Sequence, residues 1–239
     1  MCSLHNGQYG GVFHYVNTDD AELAARLSEV PAKHGLPPHN AIWEAPDSAV
    51  LAPGVLRMPS VPGLVSSADY ASRHGTTTVI TEVPYWEDPR AGDTSPCGRN
   101  LAELVGEAMA LLDETAAALK MITPEPVTDT PFHRAYQDGL RMLHGVRANW
   151  SNQVDRPATV AEQCSFEVLP HMMRIRLAGA LLRVLDAERR PATEAEAVFG
   201  HWCELADRSL PGTPIPLHRL ADVQVESALV AAHAVSKTA

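Results

Sequence analysis

The sequence holds no apolar run of the roughly 20 residues that a bilayer-crossing helix needs. Its first residues, Met1-Cys2-Ser3-Leu4-His5, have neither the basic start nor the apolar core of a secretory signal. A cytoplasmic protein without membrane association is therefore the expectation. Positive charge is also scarce: 19 Lys and Arg stand against 29 Asp and Glu, a formal net charge of −10. The basic residues form no stripe, which argues against nucleic acid as a partner. Cys2, Cys97, Cys164 and Cys203 form no C-x-x-C pair, so neither a zinc finger nor a thioredoxin-type motif is present. Reduced, mostly buried thiols are expected. Internal repeats and low-complexity segments are absent.

What is present is enough apolar material for a real core, 45% of 239 residues. The chain falls into two textures. In the first, Gly11-Val12-Phe13-His14-Tyr15-Val16 and the β-branched Thr76 to Val83 read as strands. Asp20 to Val30 and Asn100 to Ile122 carry apolar residues at helical spacing, and Asn100 with Glu103 resembles a capping box. Pro31 to Asp69 is rich in Pro and Gly, with Trp43, Leu51, Val55 and Leu56 as apolar interruptions, and reads as long ordered loops. The prolines of Thr123-Pro124-Glu125-Pro126-Val127 mark a linker. Beyond it the chain reads as helical, with capping-box starts at Thr159/Glu162 and Thr193/Glu196 and a core of Leu and Met around Leu169 to Leu185. The fold class expected is α/β followed by an all-helical C-terminal region, with domains 1–122 and 128–239 joined by the linker 123–127.

Two segments place polar groups where ligands of α/β sheets usually sit, at strand ends. One is Ser3-Leu4-His5-Asn6-Gly7-Gln8-Tyr9-Gly10-Gly11-Val12; the other is Thr81-Glu82-Val83-Pro84-Tyr85-Trp86-Glu87-Asp88-Pro89-Arg90. Together with Ser66-Ser67-Ala68-Asp69-Tyr70 and Gly75, they resemble the zinc metallocarboxypeptidases related to carboxypeptidase A, in particular a bacterial branch with LHN…GGV and TEVPY segments. The resemblance covers about residues 1 to 122 and implies a partial carboxypeptidase-like mixed sheet with flanking helices. It implies that His5 is a zinc ligand and that Glu82 is the general base acting on zinc-bound water. Tyr85, Trp86 and Asp69 become candidate substrate-binding residues, and Val83 to Trp86 candidate walls of a dry pocket around Glu82. The implied substrates are peptides or amino-acid amides.

The same resemblance implies features that are missing here. The family's His-x-x-Glu ligand pair lies well upstream of the histidine matched by His5, as do an arginine and an Asn-Arg pair that hold the oxyanion and the substrate carboxylate. What remains is the C-terminal half of a catalytic domain, with weak or absent zinc binding by this chain alone and a separate chain supplying the other half as an implied partner. A sheet cut in this way should expose an edge. His201-Trp202-Cys203-Glu204 is a second His-x-x-Glu, but it follows Glu82 in chain order and fits an ordinary amphipathic helix. His14, His34, His39 and His74 show no mutual metal spacing and read as surface or strand residues. A noncatalytic binding module on the same fold, and an oligomerising helical half, are the alternatives.

Overall fold

The computed structural model describes residues 1–42, 48–59, 65–123, 128–150 and 155–236. In chain order it contains β1 (Cys2–His5), β2 (Tyr9–Gly10), β3 (Phe13–Val16), α1 (Ala21–Lys33), β4 (Val50–Ala52), β5 (Val55–Arg57) and α2 (Ser67–Ser72). There follow β6 (Val79–Glu82), β7 (Trp86–Glu87), β8 (Pro96–Asn100), α3 (Leu101–Ile122), α4 (Pro131–Trp150) and β9 (Pro157–Thr159). The chain ends with α5 (Val160–Ala187), α6 (Thr193–Ser209), β10 (Thr213–Pro214) and α7 (Leu217–Ser236). Mixed sheets with flanking helices and a helical C-terminal region make this an α/β fold.

Two compact units share the chain. The first joins Met1–Ser95, Thr159–Ser165 and Gly212–Ala239; the second joins Pro96–Ala158 and Phe166–Pro211. This division differs from the one expected at 123–127, where residues 124–127 lie outside those described. Its physical reason is α7, which returns to the first unit and buries Leu220, Val223 and Val230 in the same core as Leu23, Leu27 and Val30 of α1. Lys33 and His34 at the end of α1 both reach Glu226 of α7, at 3.1 and 2.7 Å.

The first unit is built on a five-stranded sheet in the order β1-β6-β3-β5-β4. Pairing is parallel for β1/β6 and β3/β5 and antiparallel for β3/β6 and β4/β5. Side chains alternate across it: Val16, Val55 and Val79 enter the core with α1 and α7, while Phe13, Tyr15 and Leu56 cluster with Ile42 elsewhere. Asp20 caps α1, accepting from the Leu23 N–H at 3.0 Å. The helix runs past the expected end at Val30, with Pro31 inside its last turn. A separate three-stranded sheet runs in the order β10-β7-β2.

Several local expectations change. The segment read as loops from Pro31 to Asp69 contains the end of α1, the hairpin strands β4 and β5, and the start of α2; Trp43 lies outside the described residues. Strands of three residues are too short to show alternation. Asn100 caps α3 by accepting from the Ala102 N–H at 2.8 Å. Thr159 and Glu162 do form reciprocal bonds, 2.9 Å from the Thr159 N–H to Oε2 and 3.2 Å from the Glu162 N–H to Oγ1. Thr193, by contrast, is already inside α6, whose N-cap is Ala192 with no side-chain cap. Only Cys164 among the four thiols is buried; Cys2 is exposed and the other two are intermediate.

The second unit is a helical assembly of α3, α4, α6 and most of α5. Its interior includes Leu101, Leu112, Leu119, Tyr136, Leu169, Met173, Leu177 and Leu181, each nearly or wholly buried. Arg174 is buried there as well, donating from Nε to Thr115 Oγ1 at 3.0 Å and lying 5.7 Å from the Trp202 ring centre.

Candidate active site

Strand register sets the site. Because β1 and β6 run parallel with His5 opposite Glu82, the two side chains emerge on one side of neighbouring strands. His5 Nδ1 lies 2.9 Å from Glu82 Oε1. The two groups differ in setting: the His5 side chain is 50% exposed and that of Glu82 only 17%. The backbone of His5 is tied down as well, its carbonyl accepting from the Val83 N–H at 3.3 Å and from Gln224 Nε2 of α7 at 2.8 Å. Asn6 donates from Nδ2 to the Val83 carbonyl at 3.1 Å, closing the ends of both strands together.

A third residue joins them. Residues two apart on a strand share a face, and Ser3 Oγ lies 3.0 Å from His5 Nε2. Both ring nitrogens are thus engaged, one by a hydroxyl and one by a carboxylate. Sequence reasoning placed Ser3 in the motif but gave it no role; the period of two in a strand was the signal that could have found it. Gln224, more than two hundred residues downstream, left no such signal.

The other predicted residues are placed apart from this pair. Tyr85 and Trp86 continue from β6 toward β7, in an edge-on pair with ring centres 6.2 Å apart, and are 43% and 44% exposed. Val83 is fully buried in the core beside α1 and α7. The expected dry wall of Val83 to Trp86 is therefore split, with Val83 and Pro84 buried and Tyr85 and Trp86 facing water. Asp69 sits at the third position of α2 in a capping box: its Oδ2 accepts from the Ser66 N–H at 2.8 Å and Oγ at 2.7 Å, and its own N–H donates to Ser66 Oγ at 3.1 Å. The Ser66 bonds hold its carboxyl below the usual range. His201 and Glu204 are exposed on α6, while Trp202 between them and Ala206 beyond them are buried.

Two histidines expected on the surface or in a strand are buried. His14, within β3, reaches Thr81 Oγ1 at 3.2 Å through Nδ1, and burial lowers its pKa to about 4. Its Nε2 has no hydrogen-bond partner among the described residues. His39 is 7% exposed and also lowered to about 4 by burial. Its Nδ1 accepts from the Gly11 N–H at 3.5 Å, so Nε2 carries the proton and donates to Ser165 Oγ at 3.0 Å. Ser165 Oγ in turn donates a hydrogen bond to the Ala41 carbonyl. With its proton committed to a main-chain acceptor, Ser165 is a structural hydroxyl.

Among the described residues no group of three or more His, Cys, Asp or Glu is arranged to hold a metal ion. A catalytic zinc takes three protein ligands, and His5 with Glu82 supplies too few. The carboxylate is moreover placed against the imidazole, in the position of a group that orients a histidine. These residues by themselves do not fit the metal. A cavity of about 300 Å³ occurs in the second unit, lined by Leu104, Ala108, Leu111, Phe166, Pro170 and His171 among others; none of the predicted site residues lines it. Comparison with family models, with curated proteins and with solved structures gives no match to this chain.

Proposed function

We propose that the chain carries part of a zinc carboxypeptidase-type hydrolase domain, with one metal ligand, His5, and the carboxylate that serves it, Glu82. On this reading the remaining ligands come from polypeptide outside these 239 residues, and residues 1–239 alone do not complete the metal centre. The observation that supports it is the register of β1 on β6, which brings an imidazole and a carboxylate from distant motifs within 2.9 Å at the ends of parallel strands. The reacting substrates would be peptides or amino-acid amides, with the exposed Tyr85 and Trp86 as the nearest apolar surface along the chain from Glu82. The outer edge of β1, unpaired with any strand among the described residues, is where an additional strand of the completing polypeptide would pair.

Zinc titration followed through the imidazole resonances tests this. The expected result is a weak interaction, with a midpoint on the order of millimolar, that moves the His5 ring signals and disappears in His5→Ala. A tight one-to-one complex would show that the centre is complete within the chain. Movement of other histidines with His5 unaffected would remove it as a ligand.

A further inference from the structure

We propose that Ser3, His5 and Glu82 form a metal-independent acyl-transfer relay, with Ser3 Oγ as the nucleophile and small activated esters as substrates. The order of contacts carries the argument. A carboxylate on Nδ1 and a hydroxyl on Nε2, at 2.9 and 3.0 Å, are the two partners that a general-base histidine needs, each on the required nitrogen. An ionised carboxylate only accepts hydrogen bonds, so Glu82 fixes the proton on Nδ1 and leaves the Nε2 lone pair to receive the proton of Ser3.

The fold holds the three groups on two paired strands: the strand period aligns Ser3 with His5, and the register aligns His5 with Glu82. Burial separates the carboxylate from the histidine it holds. Glu82 is mostly shielded and His5 is half exposed, while Ser3 is intermediate in exposure and so still reachable by a small ester. An oxyanion donor follows from the ladder. Met1 and His5 turn their carbonyls to β6, accepting from the Val79 and Val83 N–H groups at 2.9 and 3.3 Å. Leu4 therefore turns its N–H the other way, to the edge where β1 has no neighbouring strand among the described residues. It is the N–H of the residue after the nucleophile. One such donor in a water-exposed site gives limited stabilisation of the oxyanion, since each is worth about 10²- to 10³-fold; the substrates are accordingly esters with good leaving groups rather than amides.

In the reaction Ser3 Oγ bonds to the acyl carbon while its proton passes to His5 Nε2. The bond from that carbon to the leaving oxygen then breaks, and the leaving oxygen takes the proton from Nε2. Water attacks the acyl-serine, giving a proton to Nε2 that returns to Ser3 Oγ as the carboxylic acid departs.

The proposal stands independently of the zinc reading, and its test is run on the full chain with excess chelator. A fluorophosphonate probe should label Ser3, located by peptide mapping. Labelling should fall at least about tenfold in His5→Gln and vanish in Ser3→Ala, each checked by circular dichroism for an unchanged fold. Glu82→Gln should slow the hydrolysis of an aryl acetate and displace its pH profile, a readout that a purely structural carboxylate would leave in place. Absence of an adduct on the folded wild-type chain, or an adduct undiminished in Ser3→Ala, overturns the relay. Because chelator is present throughout, that failure leaves the zinc titration untouched, and failure of the titration leaves the relay untouched.

Discussion

Mild acid should weaken the first unit above the range in which most carboxylates are protonated. His14 and His39 are both buried in it, and burial lowers each from 6.5 to about 4. Between those values the unfolded chain binds protons that the folded chain refuses, so stability falls as pH falls and is regained as pH rises. One pKa unit corresponds to about 1.4 kcal/mol. At pH 5 most of the gap has been crossed: each histidine costs about 2 kcal/mol relative to pH 7, or about 4 kcal/mol together. That is a large share of the roughly 5–15 kcal/mol by which domains are stable. Carboxylates with lowered values, such as Asp69 and Glu226, lose their contribution mainly below about pH 5, which leaves most of the window clear. Urea unfolding at pH 7, 6 and 5, read through circular dichroism, gives the slope. His39→Gln keeps a polar group beside Ser165 and should remove about half of it, whatever it does to stability at pH 7. A transition whose midpoint is flat between pH 7 and pH 5, or a slope unchanged in His39→Gln, would refute the assignment of these two rings as buried and neutral.

Two glycines should respond to alanine with opposite signs. A Cβ on Gly11 would stand 2.5 Å from the Pro38 carbonyl oxygen, so Gly11→Ala should cost about 2–3 kcal/mol; Gly106, in α3 with open space around it, should gain about 0.5–1 kcal/mol as alanine. Thermal melts of the two variants check both. In the second unit, Arg174→Ala leaves Thr115 without its donor and removes the cation from Trp202, for a loss of about 2 kcal/mol. Arg174→Met keeps the packed stem and should recover part of it; equal urea midpoints for the two variants would contradict this.

Much of this architecture was legible from residue order. The β-branched run at Thr76 to Val83 and the apolar periods of α1 and α3 mark their elements, because each is long or extreme enough for periodicity to speak. His5 and Glu82 could be paired on motif grounds. Three things escaped. Strand β1 has one partly buried residue in four, so it shows none of the alternation that would have placed Ser3 beside His5. The strands β4 and β5 are masked by the prolines and glycines around them. The return of α7 is invisible because an amphipathic stripe states that a helix must cover something without stating what. Leu220, Val223 and Val230 suit a helical domain as well as they suit the sheet they cover.

That return has a consequence for synthesis. The strand bearing Ser3 and His5 is made first, yet the helix that covers its sheet and whose Gln224 bonds the His5 carbonyl is made after both units' other elements. The intervening helices, rich in local contacts, can consolidate while the chain is still emerging. The part of the sheet formed by β1 and β6 must instead wait, although α1 covers the rest, until residues 217–236 arrive. Nascent chains halted before that point would present Val79 of β6 to any chaperone in reach, and the backbone of His5 would lack its Gln224 partner until α7 is made.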